Sequence, residues 1–555
     1  MNSASFMGME IAMRGLYSSQ RGMANVSHNV ANTNTPGYSR QVLNQKAARP
    51  MLVANSAGML GMGSDVMSVD SVRDSYLDEK YWSESQYLGE WTVRDTILTD
   101  MQTVYNEPSD NGFTKIISDF YNSLQQLSTN PSDLAIRNTV KEKGIMVAKY
   151  FNSVAAHFDG LQEDLNNMVN AKVSEVNTLA DQLQNLNLQI YNFEVMGDTA
   201  NDLRDQRSVL VDKLSKIVNV NAYEVETGLK MPNGDPEKRF VVTISGKALV
   251  DHGQVVHLKC ENRTQKLNME DLGNLYEVSW DDGNKINIKS GELKGYLDMR
   301  DGNDGQIGVN GVDYSPDGKG IPYYQRKMNE YVQVLARTFN EGIIDENGDG
   351  TLEDIKGHVD GFRLDSVEGD DPSGIRFFAI LGSDGKPVSS DDFIAMVNAQ
   401  ADTDGLTGHP AIERITDGYS IITARNFSIS EDIDSDPVEN ISTSAVAGET
   451  GNNENVNSLL NMRHNTYMFM EGSGEDYIKT LISTLGVEGQ QYGVYLDTQE
   501  GIIQQIENRR QAVSGVSLNE EMTNLVKYQQ IYGASAKMIQ TFSDVLDILI
   551  NQLGL

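Results

Sequence analysis

The sequence has very little cysteine and no long apolar stretch. Its 555 residues include one cysteine, Cys260, so no intramolecular disulfide can form. No run of about 18 apolar residues occurs, which argues against a membrane-spanning helix. The first residues lack a basic segment followed by an apolar one, so we expect no secretory signal peptide. These absences suit either a reducing compartment or an exported protein that is stabilised by its packing.

Basic residues are also scarce. The chain has 45 Lys and Arg against 79 Asp and Glu, a net charge of −34, and phosphate binding needs clustered basic side chains. We therefore expect no nucleic acid and no membrane among the partners. The imbalance is uneven: residues 345–454 hold 24 acidic and 6 basic side chains, whereas residues 1–50 have a balance of +4. Different segments should therefore face different surroundings.

Long gaps between helix-breaking residues predict long helices. Neither Gly nor Pro occurs from Leu161 to Met196, and the apolar residues there follow a heptad pattern. We expect one helix over this segment and a separate helical block from about Thr114 to Phe158, broken near Pro131. Shorter helices are predicted for residues 201–218 and 323–340.

The β signals lie between these helices. Residues 240–245 and 275–280 alternate as strands do, and residues 301–320 carry enough Gly and Asp to form an exposed loop. In residues 345–454, short apolar runs alternate with Asp and Gly turns, which predicts a separate, mostly β domain. The expected fold class is therefore α+β: a long helical bundle from the N- and C-terminal parts with some β structure, plus a mostly β inserted outer domain.

Both ends of the chain carry an apolar stripe with a heptad spacing. A terminal helix with one such stripe cannot bury it alone. The stripes either pack on the core of the chain or pair with each other and with neighbouring subunits. The residues predicted to form an assembly seam are Met9, Leu16, Met23, Val26, Leu525, Tyr532, Ile539, Phe542 and Leu549.

The sequence gives little indication of a metal site or a catalytic site. Residues 345–350 begin like an EF-hand loop, but position 12 is Lys356 where a bidentate Glu is needed. An ordinary acidic turn is favoured over a weak calcium site. The sequence has no GxSxG, HExxH or P-loop motif, so we expect no catalytic residue, no metal and no cofactor.

Two motifs resemble the terminal signatures of the bacterial flagellar rod, hook and hook-associated proteins. The N-terminal one consists of Ala31, Asn32, Thr33, Asn34, Thr35, Pro36, Gly37 and Tyr38. The C-terminal one begins at Ser517 and runs through Met522. An interior motif resembles the hook-associated members at the junction between hook and filament, and it consists of Asn201, Asp202, Leu203, Arg204, Asp205, Gln206 and Arg207.

The resemblance implies a structural subunit, not an enzyme. It implies that residues 1–45 and 512–555 pair as an inner coiled coil, that residues 46–344 and 455–511 form a middle domain, and that residues 345–454 form an outer insert. The implied partners are further copies in a ring, the hook protein, a second junction protein and a cytoplasmic export chaperone at the C-terminal helix.

The implied location is the extracellular flagellum, reached through the flagellar type III export apparatus after synthesis in the cytoplasm. Two alternatives stay open. One is another flagellar axial protein, and the other is an exported scaffold whose insert is active or adhesive.

Overall fold

Long helices dominate the structure, a computed structural model that describes residues 3–52, 59–105, 112–230, 236–343, 355–404 and 411–552. The helices are α1 (Ser3–Ala31), α2 (Ser75–Tyr105), α3 (Phe113–Thr129), α4 (Leu134–Glu194), α5 (Asn201–Ile217), α6 (Glu292–Asp301), α7 (Ile321–Glu341), α8 (Ser390–Thr403), α9 (Ala411–Gly418), α10 (Glu431–Ser435), α11 (Pro437–Asn440), α12 (Glu454–Asn461), α13 (Gly474–Ser514) and α14 (Leu518–Asp547). Short 3₁₀ turns span His358–Asp360, Tyr419–Ile421 and Met462–His464, and a π-helical turn spans Ile548–Gln552.

The described strands form small antiparallel sheets. They are β1 (Gln41–Ala47), β2 (Met51–Leu52), β3 (Met59–Leu60), β4 (Ser64–Ser71), β5 (Val220–Lys230), β6 (Pro236–Ile244), β7 (Lys247–Asp251), β8 (Gln254–Val255), β9 (Leu258–Asn262), β10 (Tyr276–Trp280), β11 (Gly342–Ile343), β12 (Ile355–Lys356), β13 (Phe378–Ile380) and β14 (Phe427–Ile429). Strands β5 to β8 make a four-stranded sheet, and the others pair in twos, β1 with β4 and β2 with β3 among them. The predicted α+β class is confirmed.

Helix α4 is longer than predicted. The break near Pro131 is confirmed, and Asp133 caps the new helix by accepting from the N–H of Ala135 at 2.8 Å. However, the two predicted blocks are one helix of 61 residues that runs through Gly160. A Cβ on Gly160 would meet nothing within 4 Å, so this glycine lies on the open side, where it costs only helix propensity, about 1 kcal/mol.

The other predicted helices and strands are present in the structure, but one long helix was not predicted. The predicted helices over 201–218 and 323–340 are confirmed by α5 and α7, and the predicted strands by β6 and β10. Helix α2 was not predicted, since its polar residues are spread around the helix and give only a weak apolar stripe. It pairs with α13, and the two form a long antiparallel frame in the middle of the chain.

Two apolar cores hold the described part of the chain together. One joins α3, the first half of α4, α7, the start of α13 and the acidic segment. The other joins the second half of α4, α5 and the strands between β5 and β10. Among the described residues, no side chain of α1 or α14 belongs to either core. The terminal helices therefore pack separately from the rest.

The acidic segment is not mostly β, which corrects the prediction for residues 345–454. Its described part, residues 355–404 and 411–454, holds the short helices α8 to α11 and three strands of two or three residues. The apolar residues Phe393, Val397 and Ala401 of α8 do recur at a helical spacing of four. The helix was not predicted because the Asp residues around them suggested turns. Residues 344–354, with the candidate calcium turn, lie outside the described residues.

The acidic segment shares its core with the long helices. Phe377 lies 5.8 Å from Phe120 of α3, and Phe427 lies 5.9 Å from Phe151 of α4, measured between ring centroids. Buried polar groups of the helices also bind this segment. The carboxamide of Asn340, for example, donates to the carbonyl of Phe378 and accepts from its N–H. The described part of the segment is thus anchored on α3, α4 and α7.

Candidate assembly interface

The terminal helices α1 and α14 pack against each other as an antiparallel pair, which we call the terminal hairpin. Three glycines of α1, at positions 8, 15 and 22, face Phe542, Ser535 and Tyr528 of α14. Each step of seven residues along α1 is therefore matched by a step of seven backwards along α14. This is the spacing of an antiparallel coiled coil.

The glycines allow the two helices to approach closely. A Cβ built on Gly15 would lie 2.8 Å from Oγ of Ser535, and one on Gly22 would lie 2.6 Å from the ring of Tyr528. Such distances are shorter than van der Waals contact, so a larger residue would push the helices apart. These glycines are not among the predicted seam residues, although their spacing of seven is visible in the sequence.

The predicted seam residues lie at different depths. On α1, Val26 is 2% exposed, while Met9, Leu16 and Met23 are half-buried beside the glycines. On α14, Leu525, Ile539 and Phe542 are half-buried, and Tyr532 is exposed. The structure brings Phe542 against Gly8. The side chain of Leu549 lies outside the described residues.

A second apolar stripe runs along α14 beside this seam. Ile531, Met538 and Val545 recur every seven residues and are 40%, 53% and 43% exposed. At 100° per residue they lie on one flank of the helix, next to the face that meets α1. The terminal hairpin therefore buries one stripe of α14 and leaves a neighbouring one open.

The N-terminal signature forms the end of α1 and the turn that follows it. Ala31, Asn34, Thr35, Pro36 and Gly37 are exposed, while Asn32, Thr33 and Tyr38 are half-buried. Gly37 has a φ of +75°, in the left-handed region that favours glycine, and its Cα faces the side chain of Val209 on α5. Tyr38 donates from its hydroxyl to Oδ1 of Asn29 at 2.7 Å.

The interior signature lies directly against this turn. Asp205 accepts from the N–H of Ser39 at 2.7 Å, and Asp202 accepts from the carboxamide of Gln41 at 2.7 Å. Asn201 donates to the carbonyl of Val69 on β4 at 2.6 Å. Two motifs more than 160 residues apart in the sequence therefore form one contact.

The remaining residues of the interior signature fix α5 to its surroundings. Arg204 pairs with Glu194 and Glu224, each at 2.7 Å, and so joins the end of α4 to β5. Arg207 pairs with Glu224 at 2.9 Å and stacks on Phe240. Leu203 is half-buried, and Gln206 is exposed. These contacts make α5 a firm support for the N-terminal turn.

The chain passes between the terminal hairpin and the rest of the structure twice, and the second crossing, at residues 514–520, lies at the same place as the first. The N–H of Arg40 donates to the carbonyl of Ser514 at 2.8 Å, and its guanidinium pairs with Glu520 at 2.6 Å. Both connections between the terminal hairpin and the rest, residues 32–41 and 514–520, therefore meet. We call this region the joint.

A chain of buried charges continues from the joint into the body. Arg73 bridges Asp205 and Asp78, and Arg510 bridges Asp78 and Asp212. Burial raises the pKa of the Asp205 and Asp212 carboxyls despite the nearby arginines, and it lowers the pKa of Arg207 to about 10. Asp78, Asp205 and Asp212 each pair with an arginine, so the joint has the chemistry of a structural connection.

Other chemistry finds little support in the described part of the chain. There, no group of three or more His, Cys, Asp or Glu side chains is placed to hold a metal ion. In the same residues, each helix is too short or too polar to cross a bilayer.

Several known proteins are similar to this chain in sequence. Residues 98–347 match the family described as "Flagellar hook-associated protein FlgK helical domain", and residues 509–553 match "Flagellar basal body rod FlgEFG protein C-terminal". Flagellar hook-associated protein 1 of Bacillus subtilis is 28% identical over 100% of this chain and 99% of its own length. Its counterpart from Salmonella typhimurium is 25% identical over 97% of this chain and 98% of its own.

Over its whole length the chain is similar to the flagellar hook-associated protein 1 family. Members of this family are structural proteins of the flagellum and not enzymes, and they interact with other flagellar components. A solved structure, "The structure of the flagellar hook junction protein FlgK from Burkholderia pseudomallei", is also similar. It is 16% identical with a TM-score of 0.39, over 55% of this chain and 47% of that one.

The family matches fall on the elements described above. The helical-domain match begins within α2 and ends just after α7. The rod-protein match contains the second crossing of the joint and the whole of α14. Helix α14, one half of the terminal hairpin, thus lies in the segment that matches the rod-protein family.

Proposed function

We propose that this chain forms, with further copies of itself, the ring that joins the hook to the filament. Its partners in this proposal are the hook protein on one side and the second junction protein on the other. The chain is made in the cytoplasm, bound at α14 by an export chaperone, and exported through the flagellar type III apparatus. The name of the relatives, hook-associated, supports this placement.

The open stripe of α14 is the observation that carries the proposal. An exposed, regularly spaced row of apolar side chains is unfavourable in water, and Ile531, Met538 and Val545 form such a row. Burying it against a neighbouring copy removes apolar surface from water at about 25 cal/mol per Å². The predicted seam residues then hold each terminal hairpin together, and the open stripe joins one hairpin to the next.

Folding and assembly are coupled in this proposal. Most of the stability of a helix in a protein comes from the packing of its apolar face, and α1 and α14 each lie outside both apolar cores. Assembly offsets the entropy lost when these helices become ordered. Residues 1–45 and 512–555 then lie at the inside of the ring, residues 46–344 and 455–511 in the middle, and residues 345–454 at the outside.

A double substitution in the open stripe tests the proposal. Met538→Asp with Val545→Asp places two charges on the stripe, and we expect hooks that carry no filament in a deletion strain complemented with this variant. Gln530→Asp is the matched control, since Gln530 is exposed on the side of α14 away from α1. Electron microscopy of the cells gives the readout.

The same variants must be shown to fold. All three tryptophans lie outside the terminal helices, so their fluorescence during urea unfolding reports on the body alone. We expect the same unfolding midpoint for wild type, the double variant and the control. Normal filaments on cells that carry the double variant would contradict the proposal.

A further inference from the structure

A cluster of aromatic rings lies on the surface where α2 passes α13. Trp91 lies 5.6 Å from Tyr492 and 5.2 Å from Tyr495, measured between ring centroids. Tyr87, one turn before Trp91 on α2, is 42% exposed, and Tyr495 is 41% exposed. We call these four residues the ring patch. Two of its four rings are thus partly open to solvent.

The charges around the ring patch are mostly negative. Residues 480–508 of α13 contain four acidic side chains and no basic one. On α2, Asp95 lies one turn after Trp91 and forms no ion pair with any described residue. The guanidinium of Arg94 lies 5.6 Å from the rings of Trp91 and Tyr492, but it is paired with Glu90 and Asp298. The patch therefore suits a partner with cationic and soft apolar side chains.

Another segment of the chain has these properties. Strand β1 pairs with β4 and β2 pairs with β3, and we call the described residues of these pairs, 41–52 and 59–71, the methionine hairpin. Its exposed methionines Met51, Met59 and Met67 are 52%, 66% and 67% exposed. Methionine is flexible, and its sulfur makes favourable contacts with aromatic rings.

The charge of the methionine hairpin complements that of the ring patch. Residues 41–63 contain Lys46 and Arg49 and no acidic residue. Both side chains are exposed, and neither forms an ion pair within the described part of the chain. In a protein with a net charge of −34, such a segment is unusual, and it lies next to exposed apolar side chains.

Within one chain the two surfaces do not cover each other, since Tyr87 and Tyr495 stay exposed and so do the three methionines. The methionine hairpin follows α1 away from the joint, since Gln41 binds Asn29 while Gly63 contacts Ile11, a distance of about 27 Å along the helix. Helix α2 carries Trp91 away from its start at Ser75 by about 24 Å. Both surfaces are therefore open to another molecule.

We propose that the methionine hairpin of one copy docks on the ring patch of a second copy. This inference rests on the proposed function, which places several copies side by side. Arg49 or Lys46 then lies over the rings and near Asp95, and the methionines cover the exposed edges of Tyr87 and Tyr495. The contact is separate from the open stripe of α14 and ties the body of one subunit to the base of the next.

Photo-crosslinking in assembled flagella tests the contact. Tyr495 is replaced by p-benzoylphenylalanine in the full chain, and Met538 is replaced in the same way in a second strain. We expect both to crosslink to another copy, and mass spectrometry to place the crosslink from position 495 within residues 41–71. A crosslink from position 538 to another copy, with position 495 free or joined to a different protein, would overturn the inference and leave the proposed function standing. Failure at both positions would overturn both.

Charge exchange provides a second test that does not depend on the probe. Arg49→Glu and Asp95→Arg should each reduce the yield of the crosslink from position 495 by about tenfold, since each places like charges together. The two substitutions in one chain should restore most of the yield. Lys285→Glu, at a side chain that is 78% exposed, is the matched control and should change nothing. Equal losses in the single and double variants would contradict the pairing.

Discussion

At the scale of single residues, buried polar groups attach the acidic segment to the helices. The ring of His358 is fully buried between Phe339 and Phe377. Its Nδ1 donates to the carbonyl of Ile375 at 2.7 Å, and its Nε2 accepts from the N–H of Ser442 at 3.0 Å, which assigns the neutral form. A second proton would break the bond to Ser442.

This arrangement predicts an acid-sensitive attachment. Burial lowers the pKa of His358 to about 4, while the unfolded chain takes up the proton near 6.5. The free energy of unfolding therefore falls as the pH drops from 6.5 towards 4, by at most about 3 kcal/mol from this group. We expect His358→Gln to be most destabilising at pH 7 and progressively less so down to pH 4, as measured by urea unfolding. His157→Gln, at an exposed position of α4, should have no such trend. A destabilisation by His358→Gln that did not vary with pH would contradict this assignment.

Arg137 makes a second attachment of this kind. It is fully buried and donates to the carbonyls of Pro131, Val438 and Ile441 and to the hydroxyl of Thr443. Its bonds to the last three residues tie the start of α4 to the acidic segment. Burial disfavours the charge and lowers the pKa of this guanidinium to about 10, although the nearby carboxylate of Glu439 acts in the opposite direction.

Removing Arg137 should therefore be costly. Arg137→Met leaves buried carbonyls without a donor, and we expect the free energy of unfolding to fall by about 3 kcal/mol or more. Arg425→Met is the control, since Arg425 is 53% exposed and pairs with Asp159 at the surface, where the loss is about 1 kcal/mol or less. Urea titrations of the full chain compare the two. Equal losses of unfolding free energy in the two variants would contradict the prediction that the buried Arg137 contributes more than the exposed Arg425.

At the scale of elements, the glycines of α1 set the separation and the register of the terminal hairpin. Gly22→Ala adds a methyl group against the ring of Tyr528, whereas Gly533→Ala in α14 adds one where nothing lies within 4 Å. The first change should weaken the pairing by about 1–3 kcal/mol, and the second should stabilise α14 by up to about 1 kcal/mol. Hydrogen exchange of the amides in α1 and α14 should become faster in the first variant and slower in the second. Faster exchange in both would mean that the glycines do not act through close packing.

The elements also show what the sequence can reveal. The heptad stripes, the stop at Pro131 and the helices α5 and α7 follow from local periodicity and helix breakers, and the structure contains them. Contacts across the chain could not be predicted in this way. Asp205 and Ser39 lie in separate motifs, and nothing in either motif indicates that one binds the other.

In two places the sequence pattern did not predict the helix that the structure contains, and burial explains both. Asp and Gly in residues 345–454 suggested turns between strands, but the apolar face of α8 packs on the aromatic core and selects a helix. Helix α2 gave no clear stripe because α5, α6 and α13 pack around it and bury polar residues such as Arg94 and Glu90. In both cases tertiary contacts outweigh local propensity.

At the scale of the whole molecule, the chain has a firm body and a weakly held terminal hairpin. Helix α4 belongs to both cores, whereas α1 and α14 have each other, the methionine hairpin and the joint. Local opening costs least where few apolar side chains are buried, so the terminal hairpin should open before the body. The net charge of −34 does not oppose this, since residues 1–50 carry a balance of +4 and residues 512–555 one of −2.

Limited trypsin digestion of the free full-length chain tests this division. We expect early cleavage at Arg14, Arg21, Lys527 and Lys537, followed by a stable fragment that begins after Arg40 or Arg49 and ends near Arg510. Lys149 is the internal control, since it is exposed on α4, in the part of that helix held by the first core. Lys149 should resist cleavage because α4 must unfold locally to enter a protease site, and this costs much of the stability of the body. Mass spectrometry of the fragments over time gives the order of cleavage. Terminal helices that survive as long as the site at Lys149 would mean that they are as firmly held as the body, and that ordering on assembly is not needed.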